Sequence, residues 1–415
     1  MAKKQKPVTA KALQALLVRI GSASSGTKDV LRERLKRDVS QSNFNLRCPN
    51  RGSQKEQILD RKLRIVSIDM GIKNLAYCDA SVDYTNGNLM EPKIDIIRWN
   101  KVNLVDATRD LRWERPQPSL VEEEAAEKTE ETEEEVDPYS LSVLSKTAHR
   151  FVRSTILSAE PDIILIERQR WRSSSSTAIQ QWTVRVNTVE AMLWAALETI
   201  LSERQTQSPS NKGVTGKRGY QVFAVDPKRV GQYWLVQHAK AVAEERDESM
   251  MSLALEDLVE DEKESKSRKK LPRSKAEKKA KIALVRKWLS TEPASTAQST
   301  PVSAPLISFG FGPGAEMARE ALRPRSRKAP KPRKKKGNTD EDEIKAVEDD
   351  GVREKDIMKL DDITDCCLQV AAWVAWESNR IQLENVLVGK QGSAGRLLEL
   401  DEEILKEMLA VSGED

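Results

Sequence analysis

Leu13, Leu16, Leu17 and Ile20 recur at spacings of three and four, which predicts a helix with Thr9 as N-cap and Gly21 as its stop. A Ser/Gly stretch follows, and then Thr27 opens a second stripe of Val30, Leu31 and Leu35. Lys11, Arg19, Lys28, Arg32, Arg34, Lys36 and Arg37 fall on the outward positions of this pair. Residues 41–60 carry no periodicity and read as a linker. RIVSID (Arg64–Asp69), NLAYCDA (Asn74–Ala80) and KIDIIRW (Lys93–Trp99) read as strands, with Met70–Lys73 as the turn between the first two. Tyr139–Leu157 is an amphipathic helix, and PDIILIE (Pro161–Glu167) is a continuous apolar run of strand length. From Thr177 to Leu201 a long helix is expected to bury Ile179, Trp182, Val186, Val189, Leu193 and Leu197. A strand at Tyr220–Val225, a helix around Arg229–His238 and a basic helix at Ser274–Leu289 come next. The last helix, Lys355–Arg380, starts with acids and continues as CCLQVAAWVAW. This order fits a mixed α/β sheet with helices on both faces.

Composition changes that picture between the elements. Charged residues are 32% of the 415, against a usual ~25%, and mean hydropathy is −0.59, so part of the chain cannot join a core. Segment 121–137 carries ten acids against one lysine, and 319–336 carries ten bases against one acid, so the net charge of +4 conceals two opposite runs. Seven of the seventeen prolines fall in 291–336, which reads as a disordered insertion. No apolar run reaches the ~18–20 residues that span a bilayer. Four cysteines without CxxC spacing, and only His149 and His238, exclude a zinc finger and a disulfide scaffold. They also leave Ser–His–Asp and Cys–His catalysis without a motif, so carboxylates are the expected workers.

Three acidic positions stand out. Asp69 ends the first strand, Glu167 ends the apolar strand, and Asp361, Asp362 and Asp365 open the last helix in KLDDITD. Residues three or four apart share a helix face, so Asp365 pairs with either Asp361 or Asp362. Like charges at ~3–4 Å repel unless a cation lies between them. Hard oxygen ligands suit Mg²⁺ or Mn²⁺, and two such ions would serve phosphodiester hydrolysis. A turn residue, a helix cap or an ion pair with a following arginine would account for each acid singly.

Together SIDMGIKNLAYC, IIRW, ILIERQRWRSSS, VDPKRV and KLDDITDCC occur in an order that resembles the fungal mitochondrial Holliday junction resolvases. Those are similar in fold to bacterial RuvC and belong to the ribonuclease H-like superfamily. The resemblance covers most of residues 62–203, 220–240, 274–290 and 355–380. It implies a ribonuclease H-like mixed sheet, Mg²⁺-dependent cutting of four-way DNA junctions, and a homodimer with one site per protomer. It implies Asp69, Glu167, Asp361 and Asp365 as metal-binding and catalytic residues, and a spacing of three would select Asp362 in place of Asp361. DNA contacts are expected from Arg168, Arg170, Trp171, Arg172, Lys228, Arg229 and Lys281, Trp171 as a stacking platform or as core. Neither a membrane nor a small-molecule cofactor is implied.

The N-terminal helix pair resembles a SAP-type DNA-binding module. The expected organisation is a SAP-like module (8–40), a linker (41–60) and a resolvase domain (61–380). That domain holds insertions at about 106–137, 241–272 and 291–350, and a C-terminal tail (381–415) follows it. The basic, acid-free start MAKKQKPVTAKALQALLVRIG is compatible with a mitochondrial transit segment but overlaps the SAP-like helix, and PKPRKKK reads as a nuclear signal. The mitochondrion is the location that the resemblance implies. Two alternatives stay open: a related nuclease acting on RNA–DNA hybrids, and a non-catalytic DNA-binding scaffold.

Overall fold

The computed structural model describes residues 7–41, 62–84, 88–109, 137–171, 179–206, 219–235, 273–290, 305–323, 354–389 and 400–413. The linker 42–61, most of both charge runs and the segment 236–272 lie outside them. Among the described residues no helix is long and apolar enough to cross a membrane.

The architecture is the expected α/β one. Six strands form one sheet: β1 (Leu63–Asp69), β2 (Leu75–Tyr84), β3 (Pro92–Val102), β4 (Ile163–Glu167), β5 (Gln221–Val225) and β6 (Ser308–Gly314), in the order β5-β4-β1-β2-β3-β6. β2 runs antiparallel to β1 and β3, while β4 is parallel to β1 and to β5, and β6 is parallel to β3. Alternation along β1 and β4 divides the core in two. Val66, Ile68, Ile164 and Ile166 face one side, while Ile65, Ile163 and Leu165 face the other. The first side is covered by α4 (Leu141–Arg150) and α5 (Gln181–Thr206), with α3 (Leu104–Arg109) at its rim. On the other side lie α6 (227–235), α7 (Arg273–Ser290), α8 (Glu316–Leu322) and, centrally, α9 (Glu354–Gly389). Every residue of α9 from Cys366 to Arg380 is buried, and Ala371, Ala372 and Ala375 let it lie close to the sheet.

Four expectations change. The segment 305–323, read as part of an insertion, supplies β6 and α8. Its proline and glycine content concealed a strand whose alternate glycines let the backbone approach β3. A Cβ on Gly314 would come within 2.5 Å of the Ile97 carbonyl oxygen. The region 381–415 is not a plain tail, because α9 runs on to Gly389 and α10 (Glu402–Ser412) follows. Leu383, Leu387, Ile404, Leu405, Met408 and Leu409 form one core with Leu13, Leu16, Leu17, Ile20, Leu31 and Leu35. Those N-terminal residues lie on or beside α1 (Ala10–Arg19) and α2 (Lys28–Val39), so the expected helix pair packs on the C-terminal segment. Arg19, expected outward, is buried and donates to Ser412 O at 3.1 Å and Gln382 Oε1 at 3.0 Å. Finally, Ile179 and Trp182, expected in the core, are exposed.

Candidate active site

Strand pairing explains how two distant acids meet. Ile68 lies opposite Ile166 in the parallel β1–β4 pair, so the next residues outward, Asp69 and Glu167, adjoin at one edge of the sheet. Both continue the phase of Ile65 and Leu165, which puts them on the α9 side. Two carboxyls brought this close repel as like charges unless a proton or a cation lies between them. Burial and then the Glu167 charge push the Asp69 carboxyl well above the usual carboxylate range, and Asp365 and Asp362 push the same way. The turn after β1 is tight at Gly71, where a Cβ would be 3.1 Å from the Asn74 carbonyl oxygen.

α9 brings the helix acids over this edge, and lysines attend each of them. Burial raises Asp365 to about 7, although Lys281 Nζ, 3.1 Å from its Oδ1, pulls the other way. Asp362 is raised by burial against the pull of Lys101 on β3, whose Nζ donates to Oδ2 at 2.7 Å. Asp361 pairs with Lys278 of α7. Burial alone would lower Lys278 and Lys281, but hydrogen bonds and charges from these carboxylates raise both.

The donor set is one of hard carboxylate oxygens with too much like charge in a buried place, which suits a divalent cation. With the lysines paired to the helix acids, no three His, Cys, Asp or Glu groups among the described residues converge tightly enough to cage an ion. The residues that would hold one are Asp69 and Glu167, with Asp362 and Asp365 approaching from α9.

A cleft of about 550 Å³ opens beside the pair, lined by Gly71, Glu167, Arg168, Arg170, Trp182 and Asp362 among others. Arg168 and Arg170 are therefore brought to the acids. Trp171 is 61% exposed and is not part of this lining. Arg172 lies outside the described residues. Lys228 is exposed at the first turn of α6, whereas Arg229 donates to Gly21 O at 3.1 Å and so ties α6 to the N-terminal helices. Lys281 is buried beside Asp365. Lys101 escaped the sequence reading because nothing at the end of β3 marks a lysine that faces a helix 261 residues later. Trp182 escaped it because it matches the phase of the buried stripe while sitting in the first turn of α5, ahead of the covered part.

The family described as mitochondrial resolvase Ydc2 / RNA splicing MRS1 matches residues 65–383. This chain belongs to that family. The match to the Ydc2/MRS1 family begins in β1 and ends in α9, so it takes in all five acids and stops short of α1, α2 and α10. Cruciform cutting endonuclease 1, mitochondrial, of Saccharomyces cerevisiae is 26% identical over 338 residues, covering 81% of this chain and 75% of its own length. Its Schizosaccharomyces pombe namesake is 28% identical over 197 residues, covering 45% of this chain and 61% of its own. The crystal structure of the yeast mitochondrial Holliday junction resolvase Ydc2 aligns with 92% of this chain and 100% of its own, at 15% identity and a TM-score of 0.46.

Proposed function

We propose that the protein is a mitochondrial endonuclease that resolves four-way DNA junctions by hydrolysing phosphodiesters at the exchange point. The observation that carries this is the meeting of Asp69 and Glu167 at one sheet edge, faced by Asp362 and Asp365 and opening into an arginine-lined cleft. Family membership and the names of both curated relatives support the same substrate and compartment.

A divalent cation, Mg²⁺ or Mn²⁺ and as a pair in the favoured reading, would supply activation of water and stabilisation of the leaving oxygen. The chain's own residues do the rest. Arg168 and Arg170 hold the strand by its phosphates, and Asp69 and Glu167 would hold the cation, whose charge would offset their mutual repulsion. Lys101 and Lys281 balance the charge of Asp362 and Asp365. Asp362 is the favoured third ligand, because it lines the cleft beside Glu167 and its charge acts on Asp69. A two-fold symmetric junction needs two symmetric incisions, which a C2 homodimer with one site per protomer provides.

The test is cleavage of a labelled four-way junction beside a linear duplex and an RNA–DNA hybrid, in Mg²⁺ and in EDTA. Paired nicks on the junction, absent in EDTA and lost in Asp69→Asn and Glu167→Gln while junction binding persists, are expected. Cutting of the hybrid in preference to the junction would transfer the protein to the hybrid-cleaving reading. Tight, metal-independent binding without cleavage would leave only the scaffold.

A further inference from the structure

Glu190 sits where an apolar residue would cost less. It follows Val186 by one turn of α5, its neighbours Val189 and Leu193 are buried, and burial together with the Glu167 charge raises its carboxyl above the usual range. Its contacts explain the placement. β4 pairs with β5 as far as Glu167 and Val225, and Arg168 N donates to Val225 O at 2.8 Å. β5 ends there, so Gln169 N is the first amide of this stretch beyond the reach of the sheet. Glu190 Oε2 accepts from it at 3.2 Å, across 21 residues of chain. The Trp194 indole donates to the same carboxyl, and the Arg168 charge favours its ionised form. Exposure alternates along the stretch: Glu167 and Gln169 are half-buried, while Arg168 and Arg170 are exposed. The tether therefore lies between the two arginines that line the cleft.

We propose that Glu190 is a positioning residue, which fixes the stretch Arg168–Arg170 from the α5 side so that both guanidinium groups meet phosphates of the strand held at the carboxylates. This inference deepens the junction-cutting reading and rests on it for the identity of the substrate. Two exposed arginines on a backbone that has run past its sheet partner would have to give up backbone freedom on binding. A tether made in the free protein removes that cost beforehand. It also keeps the arginines in register with Glu167, which lies one residue before them on the same strand. A role as a further cation ligand would need the carboxyl turned to Asp69 and Glu167, yet it is engaged by Gln169 and Trp194. A purely structural role would be served by any side chain that fills the space, without an acceptor for Gln169 N.

The experiment is junction binding by the full chain in EDTA across a salt series. Glu190→Ala, Glu190→Gln and Gln169→Pro are compared with the unsubstituted protein, and Glu190→Ala also in an Arg168→Ala/Arg170→Ala background. Each phosphate contact contributes about 0.9 to the slope of log affinity against log salt. Glu190→Ala is expected to bind about tenfold more weakly and to flatten that slope by about 1–2. Glu190→Gln keeps an acceptor for Gln169 N and should stay within about threefold with the slope unchanged. Gln169→Pro removes the amide hydrogen while Glu190 stays, and proline suits an extended backbone. It should match Glu190→Ala, and it carries the test should Glu190→Ala fail to fold. In the background without both arginines, Glu190→Ala should weaken binding by less than about twofold, since nothing is left to position. The proposal is overturned by an unchanged slope in Glu190→Ala or Gln169→Pro, by Glu190→Gln as weak as Glu190→Ala, or by a full penalty without the arginines. A higher Mg²⁺ requirement for cutting in Glu190→Gln also overturns it, in favour of a cation ligand. An unsubstituted protein that binds the junction without cutting it is a different failure, that of the proposed function, and the slopes still decide the role of Glu190.

Discussion

Asp361 and Asp362 are adjacent in sequence yet have different partners, Lys278 on α7 for one and Lys101 on β3 for the other. The sequence offered two spacings to Asp365 and no basis for choosing, because the choice depends on which flank of α9 faces β1 and β4. The expected outcome is that Asp362→Asn lowers junction cleavage about a thousandfold, roughly 4 kcal/mol of transition-state stabilisation. Asp361→Asn should lower it less than about tenfold. Single-turnover rates at saturating Mg²⁺ decide it, and the reverse ranking would return Asp361 to the ligand set. The same cluster has a signature in stability. A carboxyl held at about 7 when folded, against an ordinary aspartate value near 3.9, binds its proton more tightly in the native state than in the unfolded one. The Asp365 contribution is therefore full at acid pH and is lost as pH rises through about 7. In EDTA the unsubstituted protein should lose roughly 1–3 kcal/mol more than Asp365→Asn between pH 5 and 8. Mg²⁺ should narrow that gap, and identical pH profiles for the two proteins would refute the assignment.

Elements with an uninterrupted apolar pattern were legible: β1 and β4 through their β-branched runs, α5 and α9 through their helical stripes. From them came Asp69 and Glu167, since an acid closing an apolar strand is visible without coordinates. β6 was not legible, because SFGFGPG is strand-like only where β3 is already there to receive its glycines. The polar partner of the sheet was also hidden. Asp79 lies in β2 inside NLAYCDA, fully buried, and accepts from Arg64 Nε and Nη2 at 2.6 and 2.8 Å and from Arg98 Nε at 2.7 Å. A register shift between Asp79 and Ala80 accompanies this arrangement. Arg98 reaches on to Thr155 O at 2.9 Å, in the π-helical turn (Phe151–Ile156) that continues α4. One carboxylate thus ties three strands' worth of charge to the helical layer. Asp79→Ala leaves two guanidinium groups facing an apolar gap and is expected to cost about 3 kcal/mol in urea unfolding. A loss below about 0.5 kcal/mol would mean that the pair is of the weak surface kind.

At the scale of the whole chain, the two ends form a single body with the sheet's central helix. α9 has 36 residues, about 54 Å of helix at 1.5 Å per residue, with the acids near its start and Leu383 and Leu387 among the N-terminal helices near its end. The C-terminal carbonyls of α1 are received by the catalytic layer: Arg19 O by Asn379 at 2.9 Å, Ile20 O by Arg380 at 2.8 Å and Gly21 O by Arg229 at 3.1 Å. Glu402 at the start of α10 accepts from Val8 N at 2.7 Å and Arg32 at 2.6 Å, which holds its carboxyl below the usual range. A SAP-like pair of helices on a free linker would need none of this. Removing residues 400–415 takes away Ile404, Leu405, Met408 and Leu409, each worth about 1.5–3 kcal/mol of burial as an upper estimate. Two short helices without that cover are below the size at which a domain sustains its own core. The truncated chain should therefore expose 8–40 to limited proteolysis while β1–β5 and the first half of α9 stay protected, read by mass spectrometry of the fragments. Protection of 8–40 in the truncated chain would show that the pair folds alone, and the docked arrangement would then be a placement that the chain adopts rather than one it depends on.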